Sequence, residues 1–206
     1  MYCYLLRHGQ DDETVRGGWN NLPLTKTGIE QAQKLAEEMS RLSIGSVYSS
    51  DLCRSQQTAE IIANKLHLHI IPLPQFREVN NGVLAGMDNS LARKRFPDLF
   101  WNQMGWEQCY PQGESPKQFW ERICSAWAAF SEQIRNNDQN VVLVTHGGVI
   151  QVILSILEDR QYSNREVHRN VRHAEMIVLS DHSGAWEEIC REKQEEKHGT
   201  EILRSL

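Results

Sequence analysis

No apolar run in the 206-residue sequence approaches the length that crosses a bilayer, and no positively charged start leads into an apolar core. A membrane span and an export signal are therefore not expected, and the expected location is cytoplasmic. Nor is there an excess of basic residues. The net charge is -5, which argues against nucleic acid as a partner because phosphate backbones select a basic face. It leaves a small anionic substrate open, since a few local arginines outweigh a global charge. Cysteine pairs are missing too: Cys3, Cys53, Cys109, Cys124 and Cys190 are odd in number, scattered and without a CxxC, the pattern of reduced, mostly buried thiols. His67, His69, His168, His182 and His198 show no metal-ligand spacing backed by cysteine or carboxylate, so no metal is expected. There is no internal repeat and no low-complexity tract. With 40% hydrophobic and 24% charged residues, the chain has an ordinary globular composition and length for one domain.

What is present alternates. Tyr2 to Leu6 is a short β-type run that ends in Arg7-His8-Gly9, and a polar glycine-containing loop follows to Asn21. Ile29, Ala32, Leu35, Ala36 and Met39 then recur at helical spacing after an N-cap at Thr25 or Thr27. Ser46 to Ser49 reads as a second strand, Ser50 to about Leu66 as a helix with Arg54 in its first turn, and His69 to Pro72 as a third strand. Between about 80 and 113 the character changes. Phe96, Phe100, Trp101, Trp106 and Tyr110 crowd among Pro97, Gly105 and Pro111, a small helical cap insertion whose aromatics either pack it onto the rest or contact substrate.

Ser115 and Pro116 supply an N-cap and a first position for a long helix. Val141 to Val144 is a buried strand ending in Thr145-His146-Gly147-Gly148, with a helix from Val149 to about Leu157 behind it. Met176 to Leu179 makes a last central strand, beside which Ala185 to Cys190 pairs across a Ser183-Gly184 turn; a charged tail follows over about 191–206. The expected fold is α/β, a three-layer αβα sandwich with a mostly parallel, doubly wound sheet.

Taken alone, Arg7-His8-Gly9 suits a solvated pair at a strand end as well as it suits a site. A second strand ending in His-Gly changes that, because parallel strands would bring both imidazoles to one rim, where ligands of open α/β sheets bind. Arg7 and Arg54 add forked donors matched to phosphate oxygens, and the helix N-terminus after Gly148 adds backbone N–H groups. This set suits phosphoryl transfer through a nucleophilic imidazole, with Glu78 the candidate acid for the departing oxygen and the base for water.

Leu6-Arg7-His8-Gly9, Pro23-Leu24-Thr25 with Gly28 and Gln31-Ala32, Ser50-Asp51-Leu52-Cys53-Arg54-Ser55-Gln56-Gln57-Thr58-Ala59, Glu78 with Gly82 and Gly86, Gly113-Glu114-Ser115, and Thr145-His146-Gly147-Gly148 together resemble the histidine phosphatase superfamily in its phosphoglycerate-mutase-like branch. The matches keep the family order over roughly residues 2 to 180. The resemblance implies that His8 is the phosphorylated nucleophile, that Arg7, Arg54, His146 and Gly147 hold phosphate, that Glu78 donates the proton, and that no cofactor or metal is needed. Gln10 and Arg16 would belong to the substrate loop. Two segments depart from the family pattern. Asp11, Asp12 and Glu13 stand where relatives carry a small hydroxyl residue and then an asparagine, and should repel an anion unless they face solvent or pair with Arg16. His173 stands where relatives often have asparagine, and reads first as a surface histidine, with a ligand contact as the alternative. The expected function is hydrolysis of a small phosphorylated metabolite; a phosphoglycerate mutase is the alternative, and a non-catalytic phospho-ligand binder a further one. A homodimer is compatible with the sequence.

Overall fold

Side-chain alternation along β1 (Tyr2–Arg7) divides the molecule into layers. Tyr4 and Leu6 point to one face of the sheet, Cys3 and Leu5 to the other, and all four are fully buried. The computed structural model describes residues 1–135, 139–182 and 184–189. The Ser183 position, Cys190 and the expected charged tail over 191–206 lie outside the described residues.

After β1 come α1 (Lys26–Met39), β2 (Ile44–Ser49), α2 (Cys53–Leu66), β3 (Ile70–Pro72), α3 (Asn89–Arg95), α4 (Pro116–Arg135), β4 (Asn140–Thr145), α5 (Gly147–Leu157), β5 (Met176–His182) and β6 (Ala185–Glu188). The strands form one sheet in the order β3-β2-β4-β1-β5-β6. The first four of that order run parallel; β5 pairs antiparallel with β1, and β6 antiparallel with β5. The mixed sheet between helical layers is the expected α/β three-layer fold.

On one face Leu35, Ala36 and Met39 of α1 and Ala59, Ile62 and Ala63 of α2 pack on Tyr4, Leu6, Val47, Val142 and Val144. On the other, Phe119, Ile123, Trp127, Phe130 and Ile134 of α4 and Val149, Ile150 and Ile153 of α5 cover Cys3, Leu5, Tyr48, Val141 and Leu143. The caps are where hydroxyls occur. Thr25 accepts from Gly28 N–H at 3.1 Å. Ser115 and Gln118 exchange side-chain-to-backbone bonds, a capping box that starts α4 at Pro116. Ser50, expected to open the second helix, does not. That helix begins at Cys53, because the Ser50 hydroxyl is turned toward His146, 2.9 Å away.

The 80–113 segment contains α3, a short 3-10 turn at Gly82–Leu84 and otherwise turns. Its aromatics pack both among themselves and onto the rest: Leu84, Met104 and Tyr110 form a small core with Val79, Phe96, Leu99 and Trp101 against them, while Trp101 also meets Phe119 of α4 and Trp106 meets Tyr162. Asp88 accepts from the Ser90 and Leu91 N–H groups to start α3. An isolated bridge between Val15 and Asp88 ties the segment to the loop after β1.

Candidate active site

Parallel pairing of β1 with β4 aligns Arg7 with Thr145, so the two His-Gly endings arrive side by side. The ring centroids of His8 and His146 are 5.0 Å apart, edge to face. Gly9 follows His8 because the chain must pass against the start of α1; a Cβ there would lie 2.4 Å from Gly28 O.

His8 is buried, and both its nitrogens are engaged. Nδ1 is 2.7 Å from Gly9 O, which requires a proton on Nδ1 and leaves the lone pair on Nε2. Nε2 then accepts from Arg54 Nε at 3.2 Å. Burial first, and then the Arg54 charge, push the His8 pKa well below the ordinary histidine value. The imidazole is therefore neutral at neutral pH and carries its nucleophilic lone pair at Nε2.

Arg54 is 2% exposed and almost saturated by the loop after β1: Nη1 donates to Asn20 O and Oδ1 at 3.1 Å each, Nη2 to Gly18 O at 2.8 Å. Arg7 donates from Nη1 to Val171 O at 2.6 Å, and its Nη2 is 2.7 Å from His173 Nε2. Both guanidinia are fixed in place before any ligand arrives, as charge stabilisation in a site requires. His146 is fully buried; its Nε2 lies 2.9 Å from Ser50 Oγ and 3.4 Å from Ser55 Oγ. Burial, then the Arg54 charge, lower its pKa far below the usual value as well.

Glu78 reaches the same place from the loop after β3. Its Oε2 accepts from Gly148 N–H at 3.1 Å, at the start of α5, and its Oε1 from Val79 N–H at 3.0 Å. Gly148 is glycine because a Cβ would stand 2.4 Å from Glu78 Oε1. The Glu78 carbonyl is bolted down by Trp19 Nε1 at 2.6 Å and Arg122 Nη2 at 3.2 Å, and Arg122 is itself paired with Glu114 at 2.6 Å. A cavity of about 300 Å³ is lined by Arg7, His8, Arg16, Arg54, Glu78, Asn89 and His173 together with the acids Asp11, Asp12 and Glu13.

The structure thus brings together His8, Arg7, Arg54, Glu78 and Arg16, with His146 beside His8. Gly147 lies next to Arg7, whose Nε would be 3.4 Å from a Cβ at that position. Gln10 goes elsewhere. It lines a separate cavity with Gln31, Lys34 and Glu38, because its backbone N–H bonds Gln31 Oε1 at 2.9 Å and its side chain reaches toward Glu13. Arg16 lies over the Phe100 ring, 4.7 Å from its centroid.

Two expectations about the departures from the family pattern are corrected. His173 is not a surface residue: its side chain is 13% exposed and its ring centroid is 5.6 Å from that of His8. The reason is topological. Strand β5 runs antiparallel to β1, so its start meets the end of β1, and Ala174 N–H bonds the Arg7 and His8 carbonyls at 3.1 Å. Asp11 neither faces solvent nor pairs with Arg16; it lies 3.5 Å from Arg54 Nε and 3.6 Å from His173 Nε2. Asp12 and Glu13 do face solvent.

The ligand atoms of His8, Asp11 and His173 lie within 4.8 Å of one another, donor types that zinc accepts. Both Nε2 atoms are already held by guanidinium groups, however, and those two fixed positive charges oppose a cation at this point. The arrangement favours an anion.

The family model for the histidine phosphatase superfamily (branch 1) matches residues 3–193. The uncharacterized phosphatase PhoE of Bacillus subtilis is 30% identical over 154 residues, 73% of this chain and 74% of that one. A probable phosphoglycerate mutase, GpmB of Proteus mirabilis, is 32% identical over 170 residues, 75% and 74% of the two chains. Among solved structures, the alpha-ribazole phosphatase of Shigella flexneri shares the fold with a TM-score of 0.79 at 24% identity, over 90% of this chain and 93% of that one.

Proposed function

The chain belongs to the histidine phosphatase superfamily, branch 1, and from that premise we propose that it is a phosphomonoesterase that hydrolyses a small phosphorylated metabolite through phospho-His8. The observation that carries this reading is the orientation of His8: Nδ1–H is tied to Gly9 O, and Nε2, with its lone pair, is turned to Arg54 in the cavity that also holds Glu78.

In the first step His8 Nε2 bonds to phosphorus as the ester P–O bond breaks, and the departing oxygen takes the proton of the Glu78 carboxyl. Each Glu78 oxygen accepts one backbone N–H and keeps a second lone pair for that proton. In the second step Glu78, now a carboxylate, takes a proton from water as its oxygen bonds to phosphorus; the P–N bond breaks and its electron pair returns to Nε2. Arg7 and Arg54 would offset the charge on the equatorial oxygens in both steps. His146, kept neutral by burial, would contribute a hydrogen bond in place of a further positive charge.

Phosphoglycerate mutation is the second reading, favoured by the relatives bearing that name, such as the one 32% identical over 170 residues. Turnover of p-nitrophenyl phosphate should fall by at least about 10⁴-fold in His8→Ala, as expected for removal of a nucleophile, and an acid-quenched phosphoenzyme should be lost with it. Undiminished turnover in that variant overturns the mechanism. Isomerisation of 3-phosphoglycerate that depends on a bisphosphoglycerate primer would select the mutase instead.

A further inference from the structure

Asp11 and His173, which belong to the two places at which the chain departs from the family pattern, meet in the structure. Asp11 Oδ1 is 3.6 Å from His173 Nε2, and Asp11 Oδ2 is 3.5 Å from Arg54 Nε. Each contact leads to a phosphate-seeking group. Arg54 Nε is the donor to His8 Nε2, and His173 Nε2 is 2.7 Å from Arg7 Nη2. One buried carboxylate therefore lies beside His8, between the groups carried by Arg7 and Arg54, with one oxygen directed to each side.

The carboxylate is charged and held. Burial alone would raise its pKa; the neighbouring imidazole and guanidinium groups more than offset that and hold it low, at about 2. Its backbone is pinned by a bridge to Leu24, next to the point where Thr25 N–H bonds Gln10 O at 2.9 Å. The neighbouring acids are of a different kind. Asp12 is spent on Thr14, whose N–H and hydroxyl it accepts at 2.9 and 2.7 Å, and Glu13 is 65% exposed. All three acids line the cavity, but of the three only Asp11 is buried and reaches Arg54. Arg54 Nη1 and Nη2 are committed to Asn20 and Gly18, so a phosphoryl oxygen drawn to the Nε side of Arg54 meets the Asp11 carboxylate there.

We propose that Asp11 is a resident anion that occupies the phosphate seat of the empty site and makes the enzyme discriminate against free phosphate. The inference rests on the reading of this cavity as a phosphoester site. To bind, a phosphoryl group must displace the Asp11 carboxylate from Arg54 and then lie close to a negative charge. Phosphate alone does this poorly. An ester does it when its leaving group adds contacts of its own, for example to Arg16 and Asn89 in the cavity lining. The substrate class is thus a phosphomonoester recognised largely through its organic part, and the product phosphate leaves readily.

The test is equilibrium binding of inorganic phosphate, by titration calorimetry at constant ionic strength, to the full chain and to Asp11→Ser and Asp11→Asn. Serine clears the seat; asparagine keeps the size and removes the charge. Both variants should bind phosphate more tightly, serine by roughly ten-fold or more given contact between like charges in a partly buried site. Product inhibition during p-nitrophenyl phosphate hydrolysis should strengthen in step. Thermal melting identifies a variant that has lost its fold, and the near-isosteric asparagine then carries the test. Unchanged or weaker phosphate binding in a folded variant overturns the proposal, since Asp11 would then only orient Arg54 and His173. Calorimetry needs no turnover: tighter binding in a protein that hydrolyses nothing sinks the catalytic reading alone, and turnover with unaltered phosphate affinity sinks this one alone.

Discussion

His8 and His146 end neighbouring parallel strands in almost the same words, Arg-His-Gly and Thr-His-Gly, yet their rings are wired in opposite senses. His8 is fixed at Nδ1 by its own next carbonyl, Gly9 O at 2.7 Å, and turns Nε2 to Arg54. His146 is fixed at Nε2 by the hydroxyls of Ser50 and Ser55, and among the described residues its buried Nδ1 has no partner. A backbone carbonyl can only accept, so it dictates the His8 tautomer; a hydroxyl can donate or accept, so it leaves the His146 tautomer free. The lesson is that a motif delivers a side chain to a place, while the atoms around it decide which nitrogen does the work. A fixed tautomer suits a nucleophile. A free one suits a group that must donate a hydrogen bond to a phosphoryl oxygen as charge builds there.

The sharpest way to break this comparison is to replace the second ring. His146→Asn should lower kcat for p-nitrophenyl phosphate by about 10²–10³-fold, the cost of losing one donor to a charged transition state. It should still yield an acid-quenched phosphoenzyme, because Nε2 of His8 is untouched. An Asn variant that makes no phosphoenzyme at all would give the two histidines the same role and remove the distinction. The decisive measurement is therefore the quench, with kcat alongside it.

Both rings share one property, burial, and this gives a pH test that does not depend on turnover. Each has a folded pKa well below its unfolded value of about 6.5. The unfolded chain therefore binds protons that the folded chain refuses. Stability is fully present above that pH and is lost as pH falls through it, by up to about 1.4 kcal/mol per pH unit for each histidine. Denaturant unfolding at pH 7.5, 6 and 5 should show this slope. His8→Asn and His146→Asn should each remove about half of it. If one substitution removes nearly all, the two sites are unequal in burial as well as in wiring.

How far the sequence discloses this site follows from where each residue lies relative to a strand end. His8, His146 and Arg7 are legible because each sits at or just after the end of a parallel strand where glycine marks the turn, and Arg54 because it opens the helix that follows such a strand. Glu78 is legible as a lone acid after β3. His173 is not, because its position depends on β5 running antiparallel to β1, and a short apolar run such as Met176 to Leu179 carries no sign of direction. Asp11 appears in the sequence as one of three like charges. Only the fold separates it from Asp12 and Glu13, through the bridge to Leu24 that turns its side chain inward. Ser50 suffers the same ambiguity on a smaller scale: a serine after a strand reads as the start of the next helix, and here the hydroxyl goes to the histidine that caps α5 instead.

That last residue supplies the finest test of the comparison. Ser50→Ala removes the nearer of the two hydroxyls on His146 Nε2 and leaves Ser55, at 3.4 Å, as the remaining partner. Ser50 N–H bonds Val144 O at 3.0 Å and alanine keeps that bond, while the long 3.5 Å contact that Ser50 Oγ accepts from Leu52 N–H is lost with the hydroxyl. Stability should fall by about 1 kcal/mol for a buried side-chain hydrogen bond lost. The kinetic effect should be small, within about ten-fold in kcat, because Ser55 still holds the ring in place. His8 has no such redundancy: its tautomer depends on a single carbonyl that no substitution of a side chain removes. If Ser50→Ala instead costs as much activity as His146→Asn, then the orientation of the second imidazole is set by Ser50 alone, and the two strand ends are equally rigid after all.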